Sequence, residues 1–490
     1  MSVKTSDKRR AAIRWHLPAL PSDHLENVSA WGMAQEAVSY VYRPSTTEGV
    51  RSILQLARER GLTIGLRGAG RSYGDASLNA ENICLDLTRM SRILDWNPDQ
   101  GVIKLEPGVT IGQLWRYVLE DGWWPYVVSG TMYPTIGGAA SMNIHGKNNF
   151  QVGTIGDHIR EFEILLPNGK IKRCNRVENS DLFYAAIGGF GMLGCFLSIT
   201  LELKRVHSGM LKVIPISVSS LHDMIQVFEA RMQDADYLVG WVDCFASGSS
   251  IGRGLIHQAN YLQPGEDPAP TQTLRVENQE LPETFLFGLA PKSMMWLLMK
   301  PFVNPMGMRI VNFAKYHMSS LHSGKMHYQT HAEFAFLLDY VPNWKWAYKP
   351  GGLIQYQSFI PASSAEEVFK EQINLCRKRG ETPLLGVFKR HKPDPFWMTH
   401  AVEGYSLAMD FRVTSSNRER IWKLAAELDR IVVEAGGRFY FAKDSTLSPK
   451  SLENFYHEER VQRFLSLKKD VDPFCLFQTN LFRRAFQPLL

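Results

Sequence analysis

Three glycine-rich segments between residues 67 and 191 limit most strongly what this chain can fold into. The first is RGAGRSYGD at 67–75, which follows a strand-like run. Because glycine has no Cβ, backbone N–H groups can approach an anion closely, as in phosphate cradles. The segment is not the fingerprint of a doubly wound dinucleotide fold, since no helix follows at the right place and no acidic residue ends a second strand. On its own it would predict only a tight turn.

The other two glycine-rich segments repeat this pattern. The second reads SGTMYPTIGGAA at 129–140 and continues as SMNIHGKN at 141–148, and the third is GGFG at 188–191. Such segments can wrap the two ends of one extended ligand. Three of them in one region predict a site for a long, anionic ligand.

The order of short strands and helices predicts an α+β architecture. Strand-like runs at 39–44, 63–70, 82–87 and 101–108 are separated by short helical units without the long spacing of βαβ crossovers. Ser45 and Glu48 have capping-box spacing, which predicts that a helix begins at that serine. Asn168-Gly169 predicts a hairpin.

Composition narrows the class of protein. The hydrophobic share of 44% and the charged share of 21% are ordinary for globular proteins, and the net charge of +6 comes without a run of basic residues. This argues against nucleic-acid binding and agrees either with an anionic ligand or with an ordinary surface. Six scattered cysteines without CxxC spacing predict buried thiols, a reducing compartment and no metal site.

One apolar stretch, at 285–313, bears on membrane contact. Its longest unbroken apolar run is Met294 to Met299, whereas a spanning helix needs about 20 residues. The N-terminus has charges but no apolar core of a signal peptide. We therefore expect a cytoplasmic protein or one peripheral at the membrane, with 285–313 either lying on a membrane surface or forming a mobile insertion that partly covers the core.

The order GxGRSYGD, TIGGA, NIHGKN and GGxG resembles the vanillyl-alcohol-oxidase, or PCMH-type, family of FAD-binding proteins. The resemblance continues through 353–357, 387–389, 409–411, 440–445 and 471–473. It covers most of the chain, from about Trp31 to Arg484, and is poorest over 250–330. Within the family, the closest resemblance is to members that oxidise polyprenylphosphoryl ribose.

The resemblance implies an organisation and a cofactor. It implies a two-subdomain FAD-binding domain over 1–205, a substrate domain with an antiparallel sheet and flanking helices over 206–437, and a segment at 438–490 that returns to the FAD domain. Many relatives tether FAD through a histidine where this chain has Arg71, so we expect non-covalent FAD. The implied FAD-binding residues are Arg67, Gly68, Ala69, Gly70, Arg71, Ser72, Tyr73, Gly74, Asp75, Gly130, Thr131, Thr135, Gly137, Gly138, Ala139, Ile144, His145 and Tyr440.

Alcohol oxidation by hydride transfer needs a base, a cation near the reduced flavin and a held substrate. Lys443 is the expected cation and base, because a desolvated lysine loses its proton readily; without the resemblance it would be assigned to the surface. His145 and Tyr73 are further catalytic candidates, or else core residues. The expected substrate-binding residues are Lys147, Trp241, Gln355, Gln357, Lys389, Ala408 and Lys443.

The resemblance implies oxidation of the 2-hydroxyl of a polyprenyl-phospho-ribose, the first half of an epimerisation to arabinose, with a short-chain reductase as a possible partner. Two alternatives remain: a soluble alditol or aldonolactone oxidase, and a flavin- or lipid-sugar-binding protein without turnover. The apolar stretch at 285–313 favours a lipid-linked substrate. One departure is notable, since the best-known members carry a cysteine at the position of Ala408.

Overall fold

A computed structural model describes residues 20–285, 290–456 and 458–490. The expected mixture of helices and largely antiparallel sheets is confirmed. The first sheet has the order β1-β2-β4-β3, in which β4 pairs in parallel with both β2 and β3. Its strands are β1 (Leu25–Ser29), β2 (Glu36–Tyr42), β3 (Ile64–Arg67) and β4 (Ile83–Asp86).

The helix after β2 shows how local sequence sets this part of the fold. It runs over Thr47–Arg60, buries an apolar stripe against the sheet and ends at Gly61, whose φ is 63°. The expected cap at Ser45 is wrong by one residue, because Thr46 is the N-cap and its side chain accepts from the N–H of Gly49 at 3.1 Å. Both hydroxyl residues suit a cap, so only the backbone geometry distinguishes them.

The second sheet is antiparallel and has the order β5-β6-β10-β8-β9, with β7 pairing at the far end of β10. The turn between β8 and β9 contains Gly169 at φ 82°, which confirms the hairpin. The strands are β5 (Ile93–Asn97), β6 (Val102–Leu105), β7 (Trp123–Pro125), β8 (Ile159–Leu165), β9 (Ile171–Asn175) and β10 (Cys195–Arg205).

The third sheet has eight antiparallel strands in the order β16-β11-β13-β12-β18-β19-β17-β20. Its strands, with the separate ribbon β14–β15, are β11 (Met210–Val218), β12 (Tyr237–Val242), β13 (Gly254–Tyr261), β14 (Thr284–Phe285), β15 (Ala290–Pro291), β16 (His327–Thr330), β17 (Gly352–Pro361), β18 (Leu385–His391), β19 (Gly404–Val413) and β20 (Arg438–Phe439).

Helices cover one face of the third sheet and leave the other for a binding site. On the covered face, Phe388 packs against Phe228 and Phe369 from two of the helices, and Tyr356 donates to Asp429 on a third. These three helices are Leu221–Arg231, Ala365–Lys378 and Arg418–Glu434. The remaining helices are Ile111–Val118, Ile136–Ser141, Asn149–Val152, Ser180–Ala186, Pro270–Thr273, Met295–Met299, Pro305–Ser320, His331–Ala335, Pro449–Tyr456, Glu458–Val471 and Asn480–Ala485.

The C-terminal residues contact the first sheet. Ile64 of β3 donates its N–H to Leu476 at 2.8 Å, and the N–H of Gln478 returns to Ile64 at 2.9 Å. The proposed boundary at 437 falls just before β20, which still belongs to the third sheet. Across the described ranges, none of the helices is both long and apolar enough to cross a membrane.

Candidate active site

A cavity of about 610 Å³ lies between the glycine-rich segments and the uncovered face of the third sheet. All three segments reach it, and strands β12, β17, β18 and β19 line the opposite side. The glycine-rich segments and the third sheet, which are far apart in sequence, therefore enclose one cavity. This is expected for an extended ligand held between a cofactor region and a substrate region.

Two of the glycine-rich segments touch directly. A Cβ on Gly68 would lie 2.1 Å from the Oγ1 of Thr135, and one on Gly137 would lie 2.6 Å from the Cβ of Pro107. Thr135 caps the helix Ile136–Ser141 by accepting from the N–H of Gly138. Glycine suits both positions because the Thr135 side chain at Gly68, and Pro107 at Gly137, occupies the space of a Cβ.

Most of the residues predicted to bind FAD line this cavity. Gly74 and Asp75 do not, and this corrects the expectation for them. A Cβ on Gly74 would lie 1.8 Å from the carbonyl oxygen of Asp444, so Gly74 packs against the C-terminal segment. The lining members are Arg67, Gly68, Ala69, Gly70, Arg71, Ser72, Tyr73, Gly130, Thr131, Thr135, Gly137, Gly138, Ala139, Ile144, His145 and Tyr440.

Asp75 has a different partner. Both of its carboxylate oxygens accept from Arg484, at 2.8 and 3.0 Å, and Arg484 also donates to Asp444 at 2.8 Å. The two carboxylates are almost fully buried. One arginine of the C-terminal helix thus joins the first glycine-rich segment to the segment that carries Lys443.

Arg71 occupies the position at which the resemblance implies a tethering histidine in many relatives. Its guanidinium lies 4.5 Å from the centre of the Tyr133 ring, and its buried Nε has no hydrogen-bond partner within the described residues. Burial lowers the pKa of Arg71, which still leaves it a cation. A buried, unpaired N–H on a cation facing the cavity suits an anionic ligand such as a pyrophosphate.

The floor of the cavity follows the strand period of two. Gln355 and Gln357 of β17 face the cavity, whereas Tyr356 points to the helices, as predicted from alternation. The neighbouring strands pair in register, with Gln355 opposite Asp410 and Gln357 opposite Ala408. On β18, the lining side chains are Leu385, Val387 and Lys389.

Lys443 lies between the two sides of the cavity. Its Nζ is 3.7 Å from the centre of the Tyr73 ring. Burial lowers the pKa of Lys443, although the nearby Asp410 carboxylate opposes the shift, and burial raises the pKa of Asp410. Gln355 donates to one oxygen of Asp410 at 2.5 Å, and the other oxygen is buried without a partner in the described residues. This pair can exchange a proton with a ligand.

His145 is held by a chain of polar side chains beneath the cavity. The Nε2 of His145 accepts from Gln357 at 3.3 Å, and Gln357 also donates to Ser406 at 3.2 Å. Ser406 contacts His391 at 2.7 Å. Burial lowers the pKa of His145 well below its usual range, so the ring is neutral and carries its proton on Nδ1. That buried Nδ1 has no partner in the described residues and suits an acceptor on a bound ligand.

The cavity also contains other basic side chains. Lys389 lines it, and burial lowers its pKa to about 8; within the described residues it forms no ion pair. Lys315 lies 4.4 Å from the centre of the Trp241 ring, which places Trp241 in the cavity wall as predicted. Lys147 also lines the cavity, but its Nζ already donates to the carbonyls of Phe334 and Ala335, so it joins the second glycine-rich segment to the helix His331–Ala335.

Several residues of the site were not found from the sequence. Asp410 entered only through the resemblance at 409–411 and was not among the expected site residues, although the strand period puts it on the same face as Ala408. His391, His400, Lys315 and Asp339 carry no local signal. Asp339 accepts from the Thr131 hydroxyl at 2.7 Å and from the Met132 N–H at 2.8 Å, so it fixes the second glycine-rich segment.

The donor set fits FAD. Glycine backbones without room for a Cβ, the unpaired Arg71 Nε and the unpaired His145 Nδ1 all line one cavity. In the described part of the chain, no cluster of histidine, cysteine and acidic side chains could hold a metal ion.

Comparison with known proteins agrees with this geometry. Residues 38–175 match the family described as FAD binding domain. The chain is 29% identical to decaprenylphosphoryl-beta-D-ribose oxidase of Mycolicibacterium smegmatis, over 94% of this chain and 97% of the relative. It is 24% identical to D-lactate dehydrogenase of Anaerostipes hadrus, over 41% of this chain and 43% of the relative. It is 22% identical to L-gulonolactone oxidase of Bos taurus, over 40% of this chain and 43% of the relative.

Residues 38–175 therefore belong to the FAD-binding domain family, and the chain is an FAD-dependent oxidoreductase that is similar to decaprenylphosphoryl-beta-D-ribose oxidase along most of its length.

Proposed function

We propose that this oxidoreductase oxidises a secondary alcohol on a lipid-linked sugar phosphate, namely the 2-hydroxyl of a polyprenyl-phospho-ribose. The observation that carries the proposal is one cavity that holds both the Lys443–Asp410 pair and two further lysines, Lys389 and Lys315, which have no carboxylate partner in the described residues. The M. smegmatis relative, whose alignment covers 94% of this chain, supports the same substrate class.

Proton removal from the alcohol falls to Lys443. Bound FAD supplies the hydride acceptor. The hydroxyl proton must leave together with the hydride, and a neutral lysine within hydrogen-bond reach can take it. Burial favours the neutral form of Lys443, and the adjacent Asp410 carboxylate stabilises the ammonium that forms when the proton arrives.

Positioning of the sugar falls to β17 and its neighbours. Gln355 and Gln357 present amide groups on one strand face, and amides both donate to and accept from sugar hydroxyls. His145, held by Gln357, offers its Nδ1 proton to an acceptor. Fixing the reacting carbon in this way contributes to rate through orientation.

Lys389 and Lys315 suit a phosphodiester. Lysine ammonium groups bind phosphate as point charges, and Lys389 and Lys315 have no carboxylate partner within the described residues. Asp410 is the one acidic residue among the described residues that line the cavity. Met299, Val303 and Met308 add apolar lining to the cavity and pack in one cluster with Tyr73, which suits the first isoprene units of a lipid.

The product of this reaction is a 2-keto sugar on the same lipid phosphate. Epimerisation to arabinose then requires hydride delivery to the opposite face of that ketone. We propose that a separate short-chain reductase carries out this second step.

Anaerobic mixing tests the proposal. A polyprenyl-phospho-ribose with a short prenyl chain should bleach the flavin absorbance band of the purified protein, and the Lys389→Gln variant should require a much higher substrate concentration for the same rate. Free alditols and aldonolactones are the controls. If alditols or aldonolactones bleached the flavin and the polyprenyl-phospho-ribose did not, the protein would be the alternative alditol or aldonolactone oxidase. No bleaching by any of these compounds would contradict the proposed reaction.

A further inference from the structure

The outward side of the helix Pro305–Ser320 is apolar, which is unusual for a surface helix. Met306, Ile310 and Phe313 follow the spacing of one helix face and are 76%, 60% and 55% exposed. Leu321, directly after the helix, continues the same stripe and is 72% exposed. On an ordinary amphipathic helix these positions would be polar, because they face water.

Neighbouring segments enlarge this apolar face. The short helix Met295–Met299 exposes Leu297 and Leu298, and the turn that joins the two helices exposes Phe302. We call the exposed apolar side chains of residues 294–321 the apolar face. Apolar area of this extent on one side of a protein marks a binding surface.

The helix that carries the apolar face is anchored on its inner side. The Asn312 side chain donates to Asp243 at 3.3 Å, and Arg412 donates to the Val303 carbonyl at 3.0 Å. Gly307 is buried and lies so close to the preceding turn that a Cβ there would be 2.6 Å from the backbone of Phe302. The exposed side chains are therefore held outward by the fold.

Charge identifies the occupant. From Thr284 to Ala332 the chain contains no aspartate or glutamate, but it contains Lys292, Lys300, Arg309, Lys315 and Lys325. Lys300, Arg309 and Lys325 are exposed, and none of the three pairs with a carboxylate within the described residues. An apolar helix face bordered by unpaired cations is the pattern of a helix that lies in an anionic lipid interface.

The apolar face is continuous with the cavity. Met299, Val303, Met308 and Lys315 belong to the same segment and line the cavity from its outer side. A ligand embedded in a bilayer would therefore meet this segment first and reach the cavity along it.

We propose that residues 294–321 dock the protein on an anionic lipid bilayer, with Met306, Ile310 and Phe313 in the acyl–headgroup boundary and Lys300, Arg309 and Lys325 at the headgroups. This goes beyond the proposed reaction, because it assigns a surface outside the cavity. It also explains how a lipid-linked substrate reaches the site, and in that respect alone it rests on the proposed function.

Sedimentation with vesicles tests the docking. The FAD-loaded protein should bind vesicles of phosphatidylcholine with about a third phosphatidylglycerol, and bind pure phosphatidylcholine more weakly. The triple variant Met306→Ser, Ile310→Ser, Phe313→Ser should bind the anionic vesicles at least about tenfold more weakly. The variant Lys300→Gln, Arg309→Gln, Lys325→Gln should lose about fivefold per removed charge.

A matched control uses exposed apolar residues elsewhere. Leu94→Ser, Val177→Ser, Phe474→Ser also replaces three exposed apolar side chains, all outside the apolar face, and should bind as the wild type does. The proposal would be overturned if the Met306 triple variant bound anionic vesicles as tightly as the Leu94 triple variant does. The proposal would also be overturned if the wild type did not bind vesicles but formed a concentration-dependent dimer that the Met306 triple variant had lost. The apolar face would then be a contact between protein molecules.

The docking and the proposed reaction can fail separately. Vesicle binding is measured without substrate, whereas flavin reduction is measured with a short-chain substrate in solution. The Met306 triple variant should be reduced at the wild-type rate by the soluble substrate, and should lose rate only with long-chain substrate in vesicles. Vesicle binding without any flavin reduction would overturn the reaction and leave the docking intact.

Discussion

The charge of Lys443 is set by its neighbours: burial removes water from the ammonium, Lys389 repels it and Asp410 attracts it. We expect Lys443→Met to retain FAD and to lose flavin reduction by substrate by about 10²-fold or more, the usual scale for a lost acid–base group. Lys443→Arg separates two roles, because arginine keeps the cation but cannot be deprotonated. Reduction of Lys443→Met at the wild-type rate would place the base elsewhere.

The same lysine predicts a pH dependence. Burial disfavours the charged form, so the pKa of Lys443 lies below that of a free lysine, about 10.4. The neutral base therefore accumulates as pH rises, and the flavin reduction rate should increase and level off below that value. Stopped-flow reduction across pH measures this limb. It should be absent from Lys443→Arg, and a rate in the wild type that falls with rising pH would contradict the assignment.

Ala408 gives a prediction on inhibition. It lines the cavity between Gln357 and Val387, where the best-known family members carry a cysteine that reduced nitroaromatic inhibitors can trap. Alanine has no nucleophile, and no cysteine of this chain lines the cavity in the described residues. We expect reversible inhibition only, and a covalent adduct on Ala408→Cys. Intact-mass spectrometry after turnover tests both, and an adduct on the wild type would contradict the first.

At the scale of elements, the C-terminal helix holds the site together through Arg484. Removing this arginine leaves Asp75 and Asp444 as buried carboxylates facing each other, which costs about 3 kcal/mol. Arg484→Met should lower the free energy of unfolding by that amount and weaken FAD binding, because the first glycine-rich segment loses its support. Denaturant unfolding and FAD titration measure the two effects.

Arg463 provides the matched control. It pairs with Asp181 at 3.0 Å, but both side chains are exposed, so Arg463→Met should cost less than about 1 kcal/mol. An equal loss in the two variants would show that the Arg484 contacts do not hold the site together.

Elements also show what the sequence could predict. The face shared by Gln355 and Gln357 followed from the period of two, and the hairpin at Asn168-Gly169 from turn chemistry. The resemblance assigned Asp75 to the cofactor together with the rest of the first glycine-rich segment, yet its partner is Arg484, far along the chain. His391 was missed for the same reason, since its contact with Ser406 depends on strand pairing. Local signals predict elements, whereas these pairs depend on tertiary contacts.

At the scale of the whole molecule, the cofactor cavity depends on contacts between distant parts of the chain, and we predict that FAD binds in it without a covalent tether. Arg71 cannot form the covalent bond that histidine forms in relatives, so acid precipitation should release intact FAD into the supernatant. Adding FAD to the apoprotein at about 100 times its Kd should stabilise the fold by about 2.7 kcal/mol. Flavin that remains with the precipitated polypeptide would show a tether at another residue.

The alternation along β17, β18 and β19 has a consequence for how such enzymes diversify. Each side chain that faces the cavity can be exchanged without disturbing the hydrogen bonds between the strands or the residues that face the helices. The cavity floor can therefore vary in sequence while the sheet keeps its structure. The glycine-rich side has no such freedom, because a side chain at Gly68 or Gly137 would collide with the backbone or side chain opposite. New substrates are therefore expected to arise by changes at Gln355, Val387 or Ala408, while the cofactor stays the same.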